Sequence, residues 1–152
     1  MKKQTAGRIQ TAGIVLFCLY LAGLVYFLFF SENFGRIPGD EMHYNLRPLR
    51  EIRRFWAYRE TLGFQAVVLN LAGNICGFVP FGALLPVMHR SMRSGLRVFL
   101  AGFLFSACVE LLQLFTRLGS FDVDDILLNT LGAWLGYGIF RLCDRFRRKW
   151  YG

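Results

Sequence analysis

The chain has 152 residues, of which 55% are hydrophobic and 16% aromatic, and its formal net charge is +8. Only 18% of residues are charged, and they cluster between apolar blocks, which excludes an ordinary soluble domain. The basic residues flank those blocks instead of lining one soluble face, so the expected partners are membrane lipids, with no nucleic acid.

Four segments come near the roughly 20 residues that a helix needs to cross a ~30 Å hydrocarbon core. The first, about residues 11–30, is uncharged and follows Lys2, Lys3 and Arg8. That flank resembles a signal peptide, but the apolar stretch is too long and "SENFG" offers no small-x-small cleavage site, so a retained signal-anchor helix is expected. In the loop that follows, "YNLRPLREIRRFWAYRE" sets Leu46, Leu49, Ile52, Arg53 and Trp56 near helical spacing. This predicts an amphipathic piece lying on the membrane interface, anchored by Trp56 and Tyr58.

The second segment, about residues 64–88, is longer and interrupted by Pro80, Gly82 and Pro86. The third, about 96–115, carries a single charge, Glu110. The fourth, about 124–142, contains Gly132, Gly136 and Gly138. Both "GNICG" (Gly73, Gly77) and "GAWLG" (Gly132, Gly136) fit the GxxxG pattern of closely packed helices. With no internal repeat, the expected fold is all-α: one domain over residues 1–152, an integral membrane four-helix bundle. Cys18, Cys76, Cys108 and Cys143 form no CxxC pair and read as small buried hydrophobes, not as disulfide or zinc ligands.

Lys and Arg in the short connections set orientation. Four spans put the N-terminus, the second loop and the C-terminus on one side, with 11 of the 18 basic residues: Lys2, Lys3, Arg8; Arg90, Arg93, Arg97; and five from Arg141 to Lys149. Both termini are thus expected in the cytoplasm of a plasma-membrane protein, with an extracytoplasmic loop between helices 1 and 2.

Polar residues inside the spans converge. At ~1.5 Å per residue, Asn70 lies ~9 Å and Asn74 ~15 Å below the outer surface, Gln113 ~3 Å, Glu110 ~7 Å and Asn129 ~7 Å, with Asp125 at the rim. Asn70 and Asn74, Asp125 and Asn129, and Glu110 and Gln113 are each spaced to share a helix face, with Ser106 one turn before Glu110. Simpler readings stay open: the asparagines as interhelical hydrogen-bond glue, Asp124 as the cap of the fourth helix, and Glu110 paired with Arg117.

These stretches carry a resemblance. "NLRP" (45–48), "NLAGNICGFVPFGALLP" (70–86), "ELLQ" (110–113) and "SFDVDDILLNTLGAWLGYG" (120–138) resemble, in order, the VanZ-like family. The matching positions are Asn45, Pro48, Asn70, Asn74, Pro80, Gly82, Glu110, Gln113, Asp122, Asp125, Asn129 and Gly132. The family often has Phe where this chain has Leu49, and Arg just before "SFD" where it has Gly119, with the arginine displaced to Arg117. The resemblance implies a small multi-pass protein of bacterial envelopes, whose founding member is associated with resistance to the glycopeptide teicoplanin.

Three functions fit. The first is an outward-facing polar pocket of Asn70, Asn74, Glu110, Gln113, Asp122, Asp125 and Asn129, supported by Asn45, Ser106 and Arg117, that binds a lipid head group or cell-wall precursor. The second is an enzyme on envelope-lipid phosphates, with a divalent cation held, if at all, by Glu110, Asp122 and Asp125. HExxH, GxSxG and triad order are all missing, and His43 and His89 read as surface residues, so enzymatic activity is the weaker expectation and no cofactor is expected. The third is a structural membrane partner whose polar cluster only locks helix packing.

Overall fold

The structure is a computed structural model that describes residues 3–30 and 44–151, apart from a few side chains that include that of Asn70. His43 and the start of the first loop lie outside the described residues. The elements are α1 (Lys3–Phe30), β1 (Tyr44–Asn45), α2 (Arg50–Ala57), α3 (Arg59–Leu62), α4 (Phe64–Met88), a 3-10 turn (Arg90–Met92), α5 (Gly95–Thr116), β2 (Phe121–Asp122) and α6 (Val123–Tyr151). Four of them, α1, α4, α5 and α6, are long and apolar enough to cross a membrane. The spans therefore fall within a residue or two of the apolar blocks, except at two ends. α1 starts upstream at Lys3, and α6 continues to Tyr151, with Asp144 bridged to Arg147 (2.5 Å) and Arg148 (2.8 Å) one turn on.

α4, α5 and α6 form the core, and α1 lies against α4. Phe78 and Phe81 of α4 meet Phe105 of α5, the Phe81 and Phe105 rings stacking at 4.9 Å, while Val98, Val109, Ile126 and Ala133 fill the remaining interior. Phe17 of α1 packs on Phe81, and Tyr20 donates to the Gly77 carbonyl at 2.8 Å. The outward faces stay apolar, with Leu104, Leu112 and Phe115 on α5 and Leu19 on α1 exposed where lipid would lie. All four cysteines are free and exposed, not buried among side chains: each falls on an outward helix face, where a thiol is compatible with lipid.

α4 is not interrupted. It runs unbroken through Pro80 and Pro86, because helix packing on several sides holds a segment that lacks two backbone donors.

Glycine lets α4 and α6 touch backbone to backbone. A Cβ on Gly82 would lie 1.7 Å from the Ala133 carbonyl oxygen, one on Gly132 2.1 Å from that of Ile75, and one on Gly136 2.0 Å from that of Val79. The second GxxxG therefore marks a close crossing, but the first does not. Nothing lies within 4 Å of a Cβ on Gly73, and Gly77 would meet only Leu24, at 3.9 Å. The spacing is the same in both, but only the second meets the backbone of a partner helix.

Gly132→Ala or Gly136→Ala should destabilise the protein by about 3 kcal/mol, since the obstacle is rigid backbone. Gly73→Ala should be tolerated within about 1 kcal/mol. Unfolding in detergent micelles measures both, and equal losses at all three positions would overturn the assignment of the crossing.

Candidate functional site

At the end of the bundle where α4 and α6 begin and α5 ends, the chain gathers its buried polar groups. α2 begins without a cap of its own. Leu49 precedes its first turn in the left-handed region (φ 63°) and offers no side-chain acceptor. The acceptor comes from the start of α6. Both oxygens of Asp124 are used: one accepts the amide of Leu49, the other those of Glu51 (2.8 Å) and Ile52 (3.2 Å). Asp124 is 1% exposed, so these donors replace its water shell.

The expectation that Asp124 caps its own helix is thus corrected. Asp122 does that, its Oδ1 accepting the Asp124 amide at 2.8 Å, with Asn45 Nδ2 donating to the same oxygen at 3.0 Å. Beside it β1 and β2 pair in parallel, Tyr44 opposite Phe121 and Asn45 opposite Asp122, a short ladder within the otherwise all-α fold. Glu110, 2% exposed, accepts the Asp122 amide at 3.0 Å through Oε2. Burial, the largest influence, pushes the Asp122 carboxyl above its ordinary value of 3.8, and its hydrogen bonds from the Asp124 amide and Asn45 only partly offset this.

A second layer lies deeper. Asn74 Nδ2 of α4 donates to Asp125 Oδ1 of α6 at 2.5 Å, and both residues are half-buried. Asn129 Nδ2 donates to Ser106 Oγ of α5 at 2.9 Å, with both residues buried. Asn129 Oδ1, although fully buried, has no hydrogen-bond partner among the described residues.

Of the residues expected to converge, the structure brings together Asn45, Glu110 and Asp122 in the upper layer and Asn74, Ser106, Asp125 and Asn129 in the lower. Asn70 lies on α4 one turn before Asn74, with its side chain outside the described ones. Gln113 turns away and donates to the Leu28 carbonyl of α1 at 3.1 Å. Arg117 is exposed at the left-handed end of α5 (φ 58°), and the described ion pairs do not join it to Glu110. His89 is exposed. Sequence reasoning missed the role of Asp124 and of the α2 amides. The signal was there in principle: a helix preceded by Leu49, a poor cap, beside a surplus of aspartates. Among the described residues, no three of His, Cys, Asp or Glu are grouped as a metal ion would need.

The VanZ/LLP1 family model matches residues 17–144. Protein VanZ of Enterococcus faecium is 25% identical over 143 residues, which cover 91% of this chain and 78% of that protein. No solved structure matches the chain.

Two outcomes test the upper layer. Asp124→Ala leaves three amides without an acceptor, at roughly 1–3 kcal/mol each if they stay buried, so α2 should detach and trypsin should cut at Arg50, Arg53 and Arg54. Asp124→Asn should lose about 1–2 kcal/mol and keep the loop docked. Unchanged digestion of the alanine variant would show that other contacts hold α2.

The raised Asp122 value has a definite sign. Between 3.8 and its folded value the folded chain binds more protons than the unfolded one. The stabilisation is complete below that window and is lost as pH rises through it. Melting temperature against pH should therefore show an extra downward step in the wild type that Asp122→Asn lacks. Parallel curves would refute the assignment.

Proposed function

The chain belongs to the VanZ/LLP1 family, and from that premise we propose that it is a plasma-membrane protein with both termini cytoplasmic that recognises a polar envelope-lipid head group or lipid-linked cell-wall precursor. The recognising face is the lower polar layer, with Asn74, Asp125 and Asn129 as its contacts, and occupancy alters susceptibility to a glycopeptide such as teicoplanin. The observation that carries this reading is the orphaned Asn129 Oδ1. A buried acceptor without a donor costs about 1–3 kcal/mol, and a hydroxyl or ammonium on a ligand would recover it.

The upper layer supports this function without sharing it. Asp122 and Asp124 spend their described hydrogen bonds on the protein's own amides and hold the loop in place. Ser106 Oγ accepts from an asparagine, which is no general base, so recognition fits the layer better than turnover. A divalent cation at Asp125 is the alternative occupant. It predicts a Mg²⁺-dependent rise in melting temperature that Asp125→Asn abolishes. The 11 basic residues on the side that holds both termini support the orientation.

Asn129→Leu and Asp125→Asn should insert normally, melt within a few degrees of the wild type, and lose the phenotype. The measurement is the teicoplanin inhibitory concentration in a bacterial host deleted for its own copy. Both variants should match the empty host, and full wild-type protection by folded Asn129→Leu sinks the reading.

A further inference from the structure

The opposite end of the bundle carries a second, chemically inverse feature. Along α6, Asp125 and Asp144 are about 28 Å apart at ~1.5 Å per residue, close to the thickness of a hydrocarbon core. Here the start of α1, the turn after α4 and the latter part of α6 surround a cleft of about 700 Å³. Arg90, Arg93 and Arg147 line it against a single carboxylate, Asp144, and its other walls include Ile9, Val87 and Phe140. A neighbouring cleft of about 380 Å³ shares Arg93, Phe140 and Asp144 and adds Arg141, Arg145 and Arg148.

We propose that this cleft binds the phosphate of an anionic phospholipid, with the guanidinium groups of Arg90 and Arg93 as the principal contacts.

Charge comes first. Three guanidinium groups face one carboxylate, and Asp144 is already bridged by Arg147 and Arg148, so the cleft keeps a net positive charge. Guanidinium forks match phosphate oxygens in geometry as well as sign.

Preorganisation comes second. Arg93 Nε donates to the Pro86 carbonyl at 3.3 Å, and its guanidinium lies 5.7 Å from the Phe140 ring centre. Tyr137 donates to the Arg93 carbonyl at 3.0 Å, and Gln10 of α1 to the Met88 carbonyl at 2.9 Å. The Arg93 side chain and the backbone around it are thus fixed before any ligand arrives, which lowers the entropic cost of binding. The Arg90 guanidinium, by contrast, is exposed and makes no hydrogen bond among the described residues.

Position comes third and selects the source of the phosphate. Gly7 and Met88 end the apolar spans of α1 and α4, and Gly7 and Val87 line the cleft. The cleft therefore sits at the level of the lipid phosphates, with apolar walls for the glycerol and first methylenes of a lipid. A free phosphate would use the arginines and leave those walls wet.

The test uses the full chain in detergent, with lipid binding followed by native mass spectrometry and by melting temperature. Phosphatidylglycerol should bind at one molecule per chain and raise the melting temperature, while phosphatidylcholine should do neither. Arg90→Gln should weaken binding about tenfold and Arg90→Gln with Arg93→Gln about a hundredfold, as expected for charge-assisted contacts. Arg53→Gln with Arg54→Gln, at the far end, should bind as the wild type does. Arg90→Gln touches no internal contact, so it remains decisive if the double variant folds poorly. Equal binding of phosphatidylcholine, or unchanged binding by Arg90→Gln, overturns the site. The same rise in melting temperature with inorganic phosphate at matched concentration assigns the chemistry to a free phosphate and overturns the lipid.

Discussion

A carboxylate that is 1% exposed at the edge of an apolar bundle has to find donors inside the protein, and for Asp124 those donors are the first amides of α2. Each side of this contact solves the other's problem. The helix has no capping side chain, and the carboxylate has no water. Much else follows from the geometry. Leu49 is held with positive φ, at a cost of roughly 1–2 kcal/mol, because its amide is fixed by Asp124. Asn45 is drawn against Asp122, which closes the short β1–β2 ladder. Asp122, relieved of any duty to the α2 amides, caps α6 and is in turn tethered through its own amide to Glu110. The connection between α1 and α4 thereby becomes part of the bundle.

The spans were legible in the sequence because block length and charge exclusion are local properties, and α4 and α5 end within a residue of their apolar stretches. The sharing of faces was legible too, since four-residue spacing turned Asn74, Asp125 and Asn129 toward a common interior, but the depth count set Asn74 ~15 Å below the rim-level Asp125 to which it donates. What could not be read was which of several equivalent groups meets which partner. Three aspartates stand within four residues, and choosing the one that caps α6 requires knowing that the amides of α2, about 75 positions away, claim another. Two GxxxG patterns look alike until one faces a backbone and the other does not. Gln113 has the spacing to join Glu110 but is reached first by the carbonyl of Leu28. These three misses come from long-range contacts, whereas the expected interruption of α4 at its prolines failed as a local preference that packing overrides.

The two ends of the bundle treat charge in opposite ways, and that contrast separates scaffold from site. At the acidic end Asp122 and Asp124 sit on backbone or amide donors, an arrangement that stabilises one conformation and leaves little for a ligand. The two proposed sites lie instead where a polar atom is positioned but unmatched among the described residues. In the lower layer that atom is Asn129 Oδ1, a buried acceptor with no donor among the described residues. At the basic end it is the guanidinium of Arg90, beside an Arg93 that internal contacts already hold in place. The first calls for a donor and the second for an anion. A phospholipid with a hydroxyl-bearing head group offers both chemistries, but Asn129 and Asp144 lie about 22 Å apart along α6 at ~1.5 Å per residue, so no single head group can reach both. The two proposed sites would therefore take two separate occupants.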